Sequence, residues 1–340
     1  MKPAERAWGR SRWRPPRRAL LPLQLLTMAD LETPSGGAAL LRALQRDGLA
    51  LLRAPPPLAP AVSRCLAVCR DFFALPAAEK ARHGAGPGSG QQHGYMSMLD
   101  DGGSECLELK LCHDAAFEWP PRLQRAAAAA VRALLGAARR ALEAVAAALG
   151  MRRAYVAALL DDAGASVRLE EASHSAARVW CYTRGVRSGW HADNTLLTVA
   201  PRGTAVGLRC RLLDGRRAST PRECVYPEKL MEPDQLVVFA GDALSYLSGG
   251  RVPALVHEVI PPVCNDHPRL SMPFFLRARR AAVLEPQAAS PHITDPRVRS
   301  LPPLRVSDLE ANVRNVRMSW FWKQDGMGYY DCCEWHPDEK

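Results

Sequence analysis

Hydrophobic positions in the first half of the chain recur at helical spacing. The segments with this spacing are Ala38–Arg53, Pro60–Phe73 and Arg122–Leu149. The first of them ends in an apolar Leu-Ala-Leu-Leu run that suits a strand, and the third is rich in Ala and Leu and stops at Gly150. Because Ala favours helix and the leucines form one stripe, we expect a scaffold helix in the third segment. The Gly-, Ser- and Gln-rich stretch His83–Gly94 predicts a loop.

The pattern changes near Ser175 to short apolar runs bounded by clusters of Gly, Pro, Asp and Asn. The runs are Ala177–Tyr182, Leu196–Ala200, Ala205–Leu213, Gln235–Ala240, Leu255–Ile260 and Leu270–Leu276. Closely spaced short strands with turn signals are typical of a sandwich or jelly roll. We therefore predict an α+β chain with a mainly β core, in which N-terminal helices flank a C-terminal β-roll.

These patterns divide the chain into four segments. We expect a basic leader over 1–29, a helical region over 30–150, the β-roll over 151–280 and an extension packed on the core over 281–340. The leader has seven Lys or Arg residues against one Glu, so it carries +6 of the net charge of +10 and leaves +4 (10 − 6) for the rest. It is interpreted either as an organelle-targeting segment or as disordered chain before a start at Met28. Because the body has no block of Lys and Arg, nucleic acid is not expected as a partner.

The cysteines and the apolar segments limit the location of the protein. The chain has 10 Cys, and none forms the CxxC pair of a zinc or redox motif. Reduced thiols are the default for such a chain, which favours an intracellular and cytoplasmic protein, or an organelle if the leader is a transit peptide. The apolar segment Ala19–Met28 is interrupted by Pro22 and is shorter than the ~20 residues that span a membrane, so no membrane span is expected.

Three residues have the pattern of a metal site. In Trp190-His191-Ala192-Asp193, the histidine and the aspartate are two positions apart, and on a strand this spacing puts both side chains on one face. His257 follows 66 residues after His191, with apolar and β-branched neighbours that suit a strand in the wall of a roll. Two imidazoles and one carboxylate suit non-haem Fe(II) and leave coordination positions open for dioxygen and a cosubstrate. We call His191, Asp193 and His257 the triad.

A His-x-Asp motif alone is weak evidence for a metal. A second one, His336-Pro337-Asp338, lies near the C-terminus with proline between its ligands and no predicted strand around it, so we treat it as a chance match. The alternative for the first motif is an ordinary polar pair at a strand end.

A second pair of residues strengthens the metal hypothesis. Arg269 and Ser271 follow His257 by 12 and 14 residues and share one face of the next predicted strand. A guanidinium binds a carboxylate with two parallel hydrogen bonds, and a hydroxyl adds a further donor. Beside iron, this pair would hold the distal carboxylate of 2-oxoglutarate. We call it the clamp; the alternative is a surface Arg that happens to precede a Ser.

The order of short motifs resembles a known family. The first half contains Arg70–Lys80 (family FF-x-LP-x-x-EK), Gly94-Tyr95 and Glu105–Leu109, and the second half contains His191–Thr198 (H-x-D-x-x-x-LT), Gly207-Leu208 (GL), Gly241–Leu244 (GD-x-L), Leu247–Arg251 (LSNG), His257–Val259 (HRV) and Arg269–Phe275 (R-x-S followed by F). Over roughly 40–280 the chain thus resembles the isopenicillin-N-synthase-like Fe(II)/2-oxoglutarate dioxygenases. That family has a distorted double-stranded β-helix, or jelly roll, flanked by helices.

The resemblance implies iron at the triad and 2-oxoglutarate at the clamp. It also implies that the Tyr182 hydroxyl reaches the same cosubstrate and that Phe275 faces the substrate, although both aromatic residues are equally typical of a strand core. Trp180 and Cys181 replace the family's Asn-Tyr, and Thr183 stands where proline is usual. Since these positions line the substrate side, they leave the substrate class open.

The activity that the resemblance implies is oxidation of a small organic molecule. 2-Oxoglutarate would be converted to succinate and CO2 with dioxygen, ascorbate would support the iron, and hydroxylation would be the default outcome, with desaturation or ring closure as alternatives. One rival is an iron oxidase of the same fold that does not use 2-oxoglutarate. Another is a non-catalytic binding module that keeps only the fold.

Overall fold

A computed structural model describes residues 22–84, 94–98, 104–110, 120–160, 175–182, 188–213, 224–260, 268–292 and 294–309. The strands in these ranges are β1 (Leu25–Leu26), β2 (Leu49–Arg53), β3 (Gly94–Met98), β4 (Ser104–Leu109), β5 (Ala176–Tyr182), β6 (Ser188–His191), β7 (Leu197–Pro201), β8 (Leu208–Arg211), β9 (Cys224–Val225), β10 (Gln235–Ala240), β11 (His257–Val259), β12 (Arg269–Ser271), β13 (Phe274–Leu276), β14 (Val283–Leu284) and β15 (Leu304–Arg305). The α-helices are α1 (Pro34–Arg46), α2 (Leu58–Phe73), α3 (Ala77–Ala81), α4 (Pro121–Ala148), α5 (Arg153–Leu159), α6 (Asp242–Leu247), α7 (Pro286–Ala289) and α8 (Pro296–Arg299). Two 3-10 helices cover Asp30–Glu32 and Pro227–Lys229.

A nine-stranded sheet forms the centre of the molecule. Its strand order is β1-β2-β10-β7-β13-β5-β4-β3, and β12 also pairs with β5. The β1–β2 pair is parallel, and the other pairs are antiparallel. An antiparallel sheet can bury one face on a core and use the other for a different purpose, and the two faces of this sheet differ in that way.

Helices cover one face of the large sheet. Helix α4 packs against α1, α2 and strands β5, β7 and β13. Its inward stripe includes Ala130, Leu134, Ala141 and Val145, which are fully buried. Small alanines let the helix lie close to the sheet, while the leucines fill the space between them. The predicted scaffold helix is confirmed.

The alternation of strand β5 separates the core from a cavity. Ala177, Val179 and Cys181 point into the hydrophobic core under the helices, whereas Arg178, Trp180 and Tyr182 line a cavity on the opposite face. Strands β7, β10, β12 and β13 alternate in the same way, because neighbouring side chains on a strand face opposite sides.

A smaller sheet closes the cavity from the other side. It has the order β6-β11-β8-β9, and His257 of β11 lies between His191 of β6 and Cys210 of β8. The cavity between the two sheets has a volume of about 280 Å³ and is lined by residues of both.

The sequence prediction missed strands β3 and β4, which extend the large sheet from within the region predicted as helical. Polar residues interrupt the apolar pattern in this part of the sequence, so the pattern did not predict strands there. Glu105 is buried because Lys80 and the Tyr95 hydroxyl both contact it, and Glu108 is buried because Arg178 contacts it. A buried carboxylate that has ionic or hydrogen-bond partners interrupts the apolar pattern of the sequence but does not destabilise the strand.

Two predicted strands have different bounds in the structure. The run 205–213 contains only β8, and 270–276 divides into β12 and β13 around Met272-Pro273. Proline cannot donate to a ladder, so the pairing is interrupted there. The predicted loop 83–94 ends where β3 begins at Gly94, and most of it lies outside the described residues.

The two ends of the chain are described only in part. Leu25 and Leu26, within the predicted leader, pair with Leu51 and Leu52 of β2, while residues 1–21 lie outside the described ranges. In the predicted extension, Leu284, Ala289 and Val306 are buried in the main core, and residues 310–340, with the second His-x-Asp motif, are not described. Across the described ranges, every helix is too short or too polar to cross a bilayer.

Candidate active site

The triad brings its ligand atoms to one centre. His191 ends β6, Asp193 follows it, and His257 opens β11 directly opposite His191. Nε2 of His191 lies 3.8 Å from Oδ1 of Asp193, and Nε2 of His257 lies 3.9 Å from the same oxygen. The ligand atoms all lie within 4.8 Å of one another. One metal ion, whose bonds to such atoms are about 2 Å long, can be held by this set.

Hydrogen bonds to the backbone orient both imidazole rings. Nδ1 of His191 and Nδ1 of His257 each lie next to the carbonyl oxygen two residues earlier, at 2.7 and 3.2 Å. Since a carbonyl can only accept, each Nδ1 carries the proton, and the lone pair of each Nε2 faces the centre. The Thr198 hydroxyl donates to Oδ2 of Asp193 at 2.7 Å, which leaves Oδ1 for the centre.

The electrostatics favour the protonation states that a metal needs. Burial and the neighbouring His191 lower the pKa of His257 to about 4, so its imidazole is neutral at pH 7. Burial alone would raise the pKa of Asp193, but the two histidines, Thr198 and Arg277 outweigh it and lower that pKa. Metal binding requires neutral imidazole and ionised carboxylate.

The clamp lies at one end of the cavity. Arg269 and Ser271 share one face of β12 and line the cavity wall. Arg269 is 3% exposed; its Nη2 donates to Oε1 of Glu228 at 2.8 Å, and its Nε donates to the carbonyl oxygen of Ala205 at 2.9 Å. Its Nη1 is buried without a hydrogen-bond partner among the described residues. An unpaired buried donor is costly, so a ligand oxygen is needed to complete this set.

Glu228 fixes the clamp arginine in place. Its Oε1 accepts from Arg269 and from the amide of Gly203 at 3.0 Å, and its Oε2 accepts from the amides of Gly207 and Leu208 at 2.6 and 2.9 Å. The carboxylate thus has two hydrogen bonds on each oxygen. A Cβ at residue 207 would lie 2.6 Å from Nε of Arg269, so this close approach requires glycine.

Tyr182 lies directly opposite Arg269 in the β5–β12 pair. Its ring centroid is 5.3 Å from Cζ of Arg269 and 5.8 Å from the ring of Trp180, on which it stacks. Burial raises the pKa of Tyr182, so its hydroxyl stays protonated. The ring supports the guanidinium, and the role of the hydroxyl toward a cosubstrate stays a prediction.

Two more arginines lie at the other end of β5. Cζ of Arg178 is 5.5 Å and Cζ of Arg277 is 4.9 Å from the ring centroid of Phe275. Nε of Arg178 donates to Oε2 of Glu108 at 2.6 Å, and Nε of Arg277 donates to Oδ1 of Asn194 at 3.0 Å. We call Arg178, Phe275 and Arg277 the arginine wall; each of them lines the cavity.

The family model of the 2OG-Fe(II) oxygenase superfamily matches residues 180–278, which contain the triad and the clamp. Residues 180–278 form a 2OG-Fe(II) oxygenase domain. The family resemblance is confirmed, and with it the class of oxidoreductases. A search of curated protein sequences finds no significant match.

Solved structures resemble the oxygenase domain together with its flanking helices. A protein from Caulobacter crescentus assigned to the 2OG-Fe(II) oxygenase family is 20% identical, covers 86% of this chain and 99% of its own, and has a TM-score of 0.68. A full-length Neurospora crassa protein in complex with alpha-KG is 18% identical, with 85% and 96% coverage and a TM-score of 0.66. The rice dioxygenase for auxin oxidation is 22% identical, with 86% and 95% coverage and a TM-score of 0.62. These similarities confirm the predicted jelly-roll fold with flanking helices.

The oxygenase domain brings all predicted site residues to one cavity. They are His191, Asp193, His257, Arg269, Ser271, Tyr182 and Phe275. The sequence reasoning missed Glu228, Arg178 and Arg277. Side chains at even spacing along a strand share one face, so counting from Tyr182 and from Phe275 could have identified the two arginines. No neighbouring sequence motif indicates Glu228, which lies 41 residues before Arg269.

The residues of the oxygenase domain fit iron and 2-oxoglutarate. Two imidazoles with Nε2 facing inward and one carboxylate are the donor set that suits Fe(II) with open positions. The buried Nη1 of Arg269 and the hydroxyl of Ser271, on the same strand face, fit the oxygens of a carboxylate.

Proposed function

We propose that this protein is an Fe(II)- and 2-oxoglutarate-dependent dioxygenase that hydroxylates a small organic molecule. The observation that carries the proposal is the convergence of the Nε2 atoms of His191 and His257 on Oδ1 of Asp193. The similar Neurospora crassa protein has been crystallised with alpha-KG and thymine, which supports a small-molecule substrate for this chain as well.

The triad and the clamp each have their own task in this proposal. His191, Asp193 and His257 would hold the iron, which when bound activates dioxygen. Arg269 and Ser271 would bind the distal carboxylate of 2-oxoglutarate and orient its keto-acid end toward the triad. The overall reaction is balanced when one atom of dioxygen enters succinate, CO2 leaves, and the other atom enters the substrate as a hydroxyl group.

The walls of the cavity keep this chemistry away from water. Phe239, which packs on the ring of His257 at 5.0 Å between centroids, and Val237 line the wall from strand β10. Apolar walls around a metal site lower the local dielectric and limit solvent access. Since His257 is buried and His191 is 41% exposed, we infer that substrate and dioxygen enter on the His191 side.

The test is conversion of 2-oxoglutarate to succinate by purified protein with Fe(II) and ascorbate, scored over a panel of small organic molecules. His191→Ala should abolish this turnover because it removes one ligand. His292→Ala, at an exposed histidine outside the cavity, is the matched control and should leave it unchanged. Unchanged turnover in His191→Ala would contradict the proposal.

The second candidate is an oxidase of the same fold that does not use 2-oxoglutarate. One observation favours it: the charge of Arg269 is already balanced by Glu228 at 2.8 Å. The orphaned Nη1 favours a bound carboxylate instead. Dependence of oxygen uptake on added 2-oxoglutarate decides between them. Failure of the protein to bind Fe(II), measured by electron paramagnetic resonance with nitric oxide, would favour a non-catalytic binding module.

We also propose a reducing, intracellular location, with the cytoplasm as default and an organelle if the first 29 residues direct import. The described cysteines Cys65, Cys69, Cys106, Cys181, Cys210 and Cys224 have free thiols, which supports such a compartment. Fractionation of cells that express the full chain tests it, and recovery from the secreted fraction would contradict it.

A further inference from the structure

We propose that Thr195 and Thr198 are positioning residues that hold Asp193 to the metal through one oxygen only and thereby keep one coordination position open. This inference rests on the proposed function and concerns the second oxygen of the aspartate, Oδ2. The family motif H-x-D-x-x-x-LT includes Thr198 but assigns no residue type to position 195. We call the two hydroxyl groups together with Oδ2 of Asp193 the threonine relay.

The hydrogen bonds of the threonine relay run in one direction. The hydroxyl of Thr198 donates to Oδ2 of Asp193 at 2.7 Å. A hydroxyl has one hydrogen to donate, so this bond uses the hydrogen of Thr198. The hydroxyl of Thr195 lies 3.0 Å from that of Thr198 and is therefore the donor of the second bond. Hydrogen bonds that follow one another in this way polarise and strengthen each other.

Burial makes Oδ2 of Asp193 dependent on the threonine relay. Thr195 is 0% exposed, Thr198 is 1% exposed, and Asp193 is buried beside them. Since water has little access to this position, loss of the Thr198 hydroxyl leaves a buried carboxylate oxygen without its donor, which is unfavourable. A metal ion that is held by Oδ1 is then able to bind Oδ2 as well.

The backbone around the threonine relay is fixed on several sides. Thr198 belongs to β7, which lies between β10 and β13 in the large sheet. The loop that carries Thr195 packs closely on Gly241, where a Cβ would lie 2.4 Å from the Thr195 hydroxyl oxygen and 2.5 Å from the carbonyl oxygen of Asp193. The amide of Asp242 donates to that same carbonyl oxygen at 2.7 Å. The threonine relay therefore acts on a side chain whose own backbone is already held in place.

The orientation of Asp193 decides how many positions on the metal stay open. A carboxylate binds a cation through one oxygen or through both. An octahedral ion that takes one atom from each residue of the triad keeps three of its six positions, whereas chelation by both oxygens of Asp193 leaves two. The keto-acid end of 2-oxoglutarate takes two positions and dioxygen needs one. Both are accommodated only when Asp193 binds through a single oxygen.

The experiment counts the water molecules on bound Mn(II) and needs no turnover. Mn(II) carries water in its open positions, and the relaxation rate of water protons at saturating metal reports their number. Thr198→Val removes the hydroxyl and keeps the shape of the side chain. We expect the relaxation enhancement to fall by about a third, because Oδ2 replaces one of three waters. Thr195→Val leaves Thr198 without its donor and should give a smaller fall in the same direction.

Addition of 2-oxoglutarate provides a second readout of the same count. When the keto acid has taken two positions, the unaltered protein should keep about one water on Mn(II), and Thr198→Val should keep about none. A residue that only stabilises the fold would weaken Mn(II) binding without changing the number of waters on each bound ion. The measurement at saturating metal therefore separates positioning of Asp193 from a merely structural role.

Two variants serve as controls. Thr198→Ser keeps the hydroxyl and should restore the relaxation enhancement of the unaltered protein. Thr294→Val removes the hydroxyl of an exposed threonine outside the cavity and should change nothing. If Thr198→Val does not fold, Thr195→Val decides in its place, since it leaves the Thr198 side chain intact.

An unchanged relaxation enhancement in Thr198→Val would overturn the inference, as would a Thr198→Ser variant that behaves like Thr198→Val. A response to Thr198→Val without any response to Thr195→Val would overturn the role of Thr195. Failure of the unaltered protein to bind Mn(II) would contradict the inference and the proposed function together. The expected water counts without any conversion of 2-oxoglutarate to succinate would contradict the proposed function and leave the threonine relay standing.

Discussion

The clamp and the arginine wall, at the two ends of the cavity, both contain arginine, but different kinds of side chain contact it. At the clamp, Arg269 is paired with Glu228, whose two oxygens accept four hydrogen bonds in all. At the arginine wall, Arg178 shares Glu108 with a lysine, and the Nε of Arg277 donates to the neutral Asn194. The clamp is thus a rigid group, and Nη1 of its arginine has no hydrogen-bond partner among the described residues.

The hydrogen bonds that fix Arg269 suit the binding of a cosubstrate. A cosubstrate that is the same in every reaction cycle is best met by a preorganised group, because fixing the arginine beforehand lowers the cost of binding. We therefore expect changes at the clamp to alter stability and cosubstrate binding, and changes at the arginine wall to leave cosubstrate binding unaltered.

The largest effect is expected from Glu228→Ala. It leaves Arg269 as an uncompensated buried charge and three backbone amides without an acceptor, so the free energy of unfolding should fall by about 3–5 kcal/mol. Asn194→Ala, at the other end, removes a neutral partner and should cost only about 1 kcal/mol. Urea unfolding of metal-free protein measures both, with the exposed Glu232→Ala as control. Equal losses for Glu228→Ala and Asn194→Ala would contradict the comparison.

The next effect concerns the clamp itself. Arg269→Gln should raise the KM for 2-oxoglutarate by about 100-fold, because a hydrogen-bonded charge is lost. In Arg277→Gln the same KM should stay unchanged. Substrate-independent turnover of 2-oxoglutarate measures both variants. A KM that does not respond to the loss of Arg269 would favour the oxidase that does not use 2-oxoglutarate.

The triad should make metal-free protein sensitive to acid. The folded pKa of His257 is lowered to about 4, below its ordinary value of 6.5. Between these values the unfolded chain binds a proton that the folded chain does not, so stability falls as the pH drops from 6.5 to 4. We expect a loss of about 2 kcal/mol between pH 7.5 and 4.5 from this group.

Chemical denaturation of the metal-free protein at the two pH values measures this loss. His257→Leu should remove the part that comes from His257, while exposed His292→Ala should keep it. The prediction is wrong if the His257→Leu variant loses as much stability on acidification as the unaltered protein.

The sequence predicted much of this site because the decisive residues are close together along the chain. His191 and Asp193, and likewise Arg269 and Ser271, are pairs at a spacing that a strand converts into a shared face. The jelly roll followed from the short runs after Ser175. Strand β4, on which β3 pairs, did not, because the buried Glu105 and Glu108 of β4 depend on cations that lie elsewhere in the chain.

Long-range charge pairs account for the rest. Glu228 belongs to a 3-10 helix that carries no motif, and only the fold brings it to Arg269. Arg178 and Arg277 were within reach of the alternation argument. Their role in the cavity depends, however, on the contacts that Arg178 makes with Glu108 and Arg277 makes with Asn194. The sequence pattern does not show which residues lie close enough for these contacts.

Strand β5 has one more consequence, for folding. Its two faces carry opposite chemistry, so a slip of one residue in its pairing would exchange Val179 and Cys181 for Trp180 and Tyr182. A slipped strand would bury Arg178 in the helical core and leave the cavity lined by small apolar groups. Packing of the hydrophobic face of β5 therefore also fixes the register of the strand. A chain that reaches a well-packed core has its cavity-facing side chains in the correct positions as well.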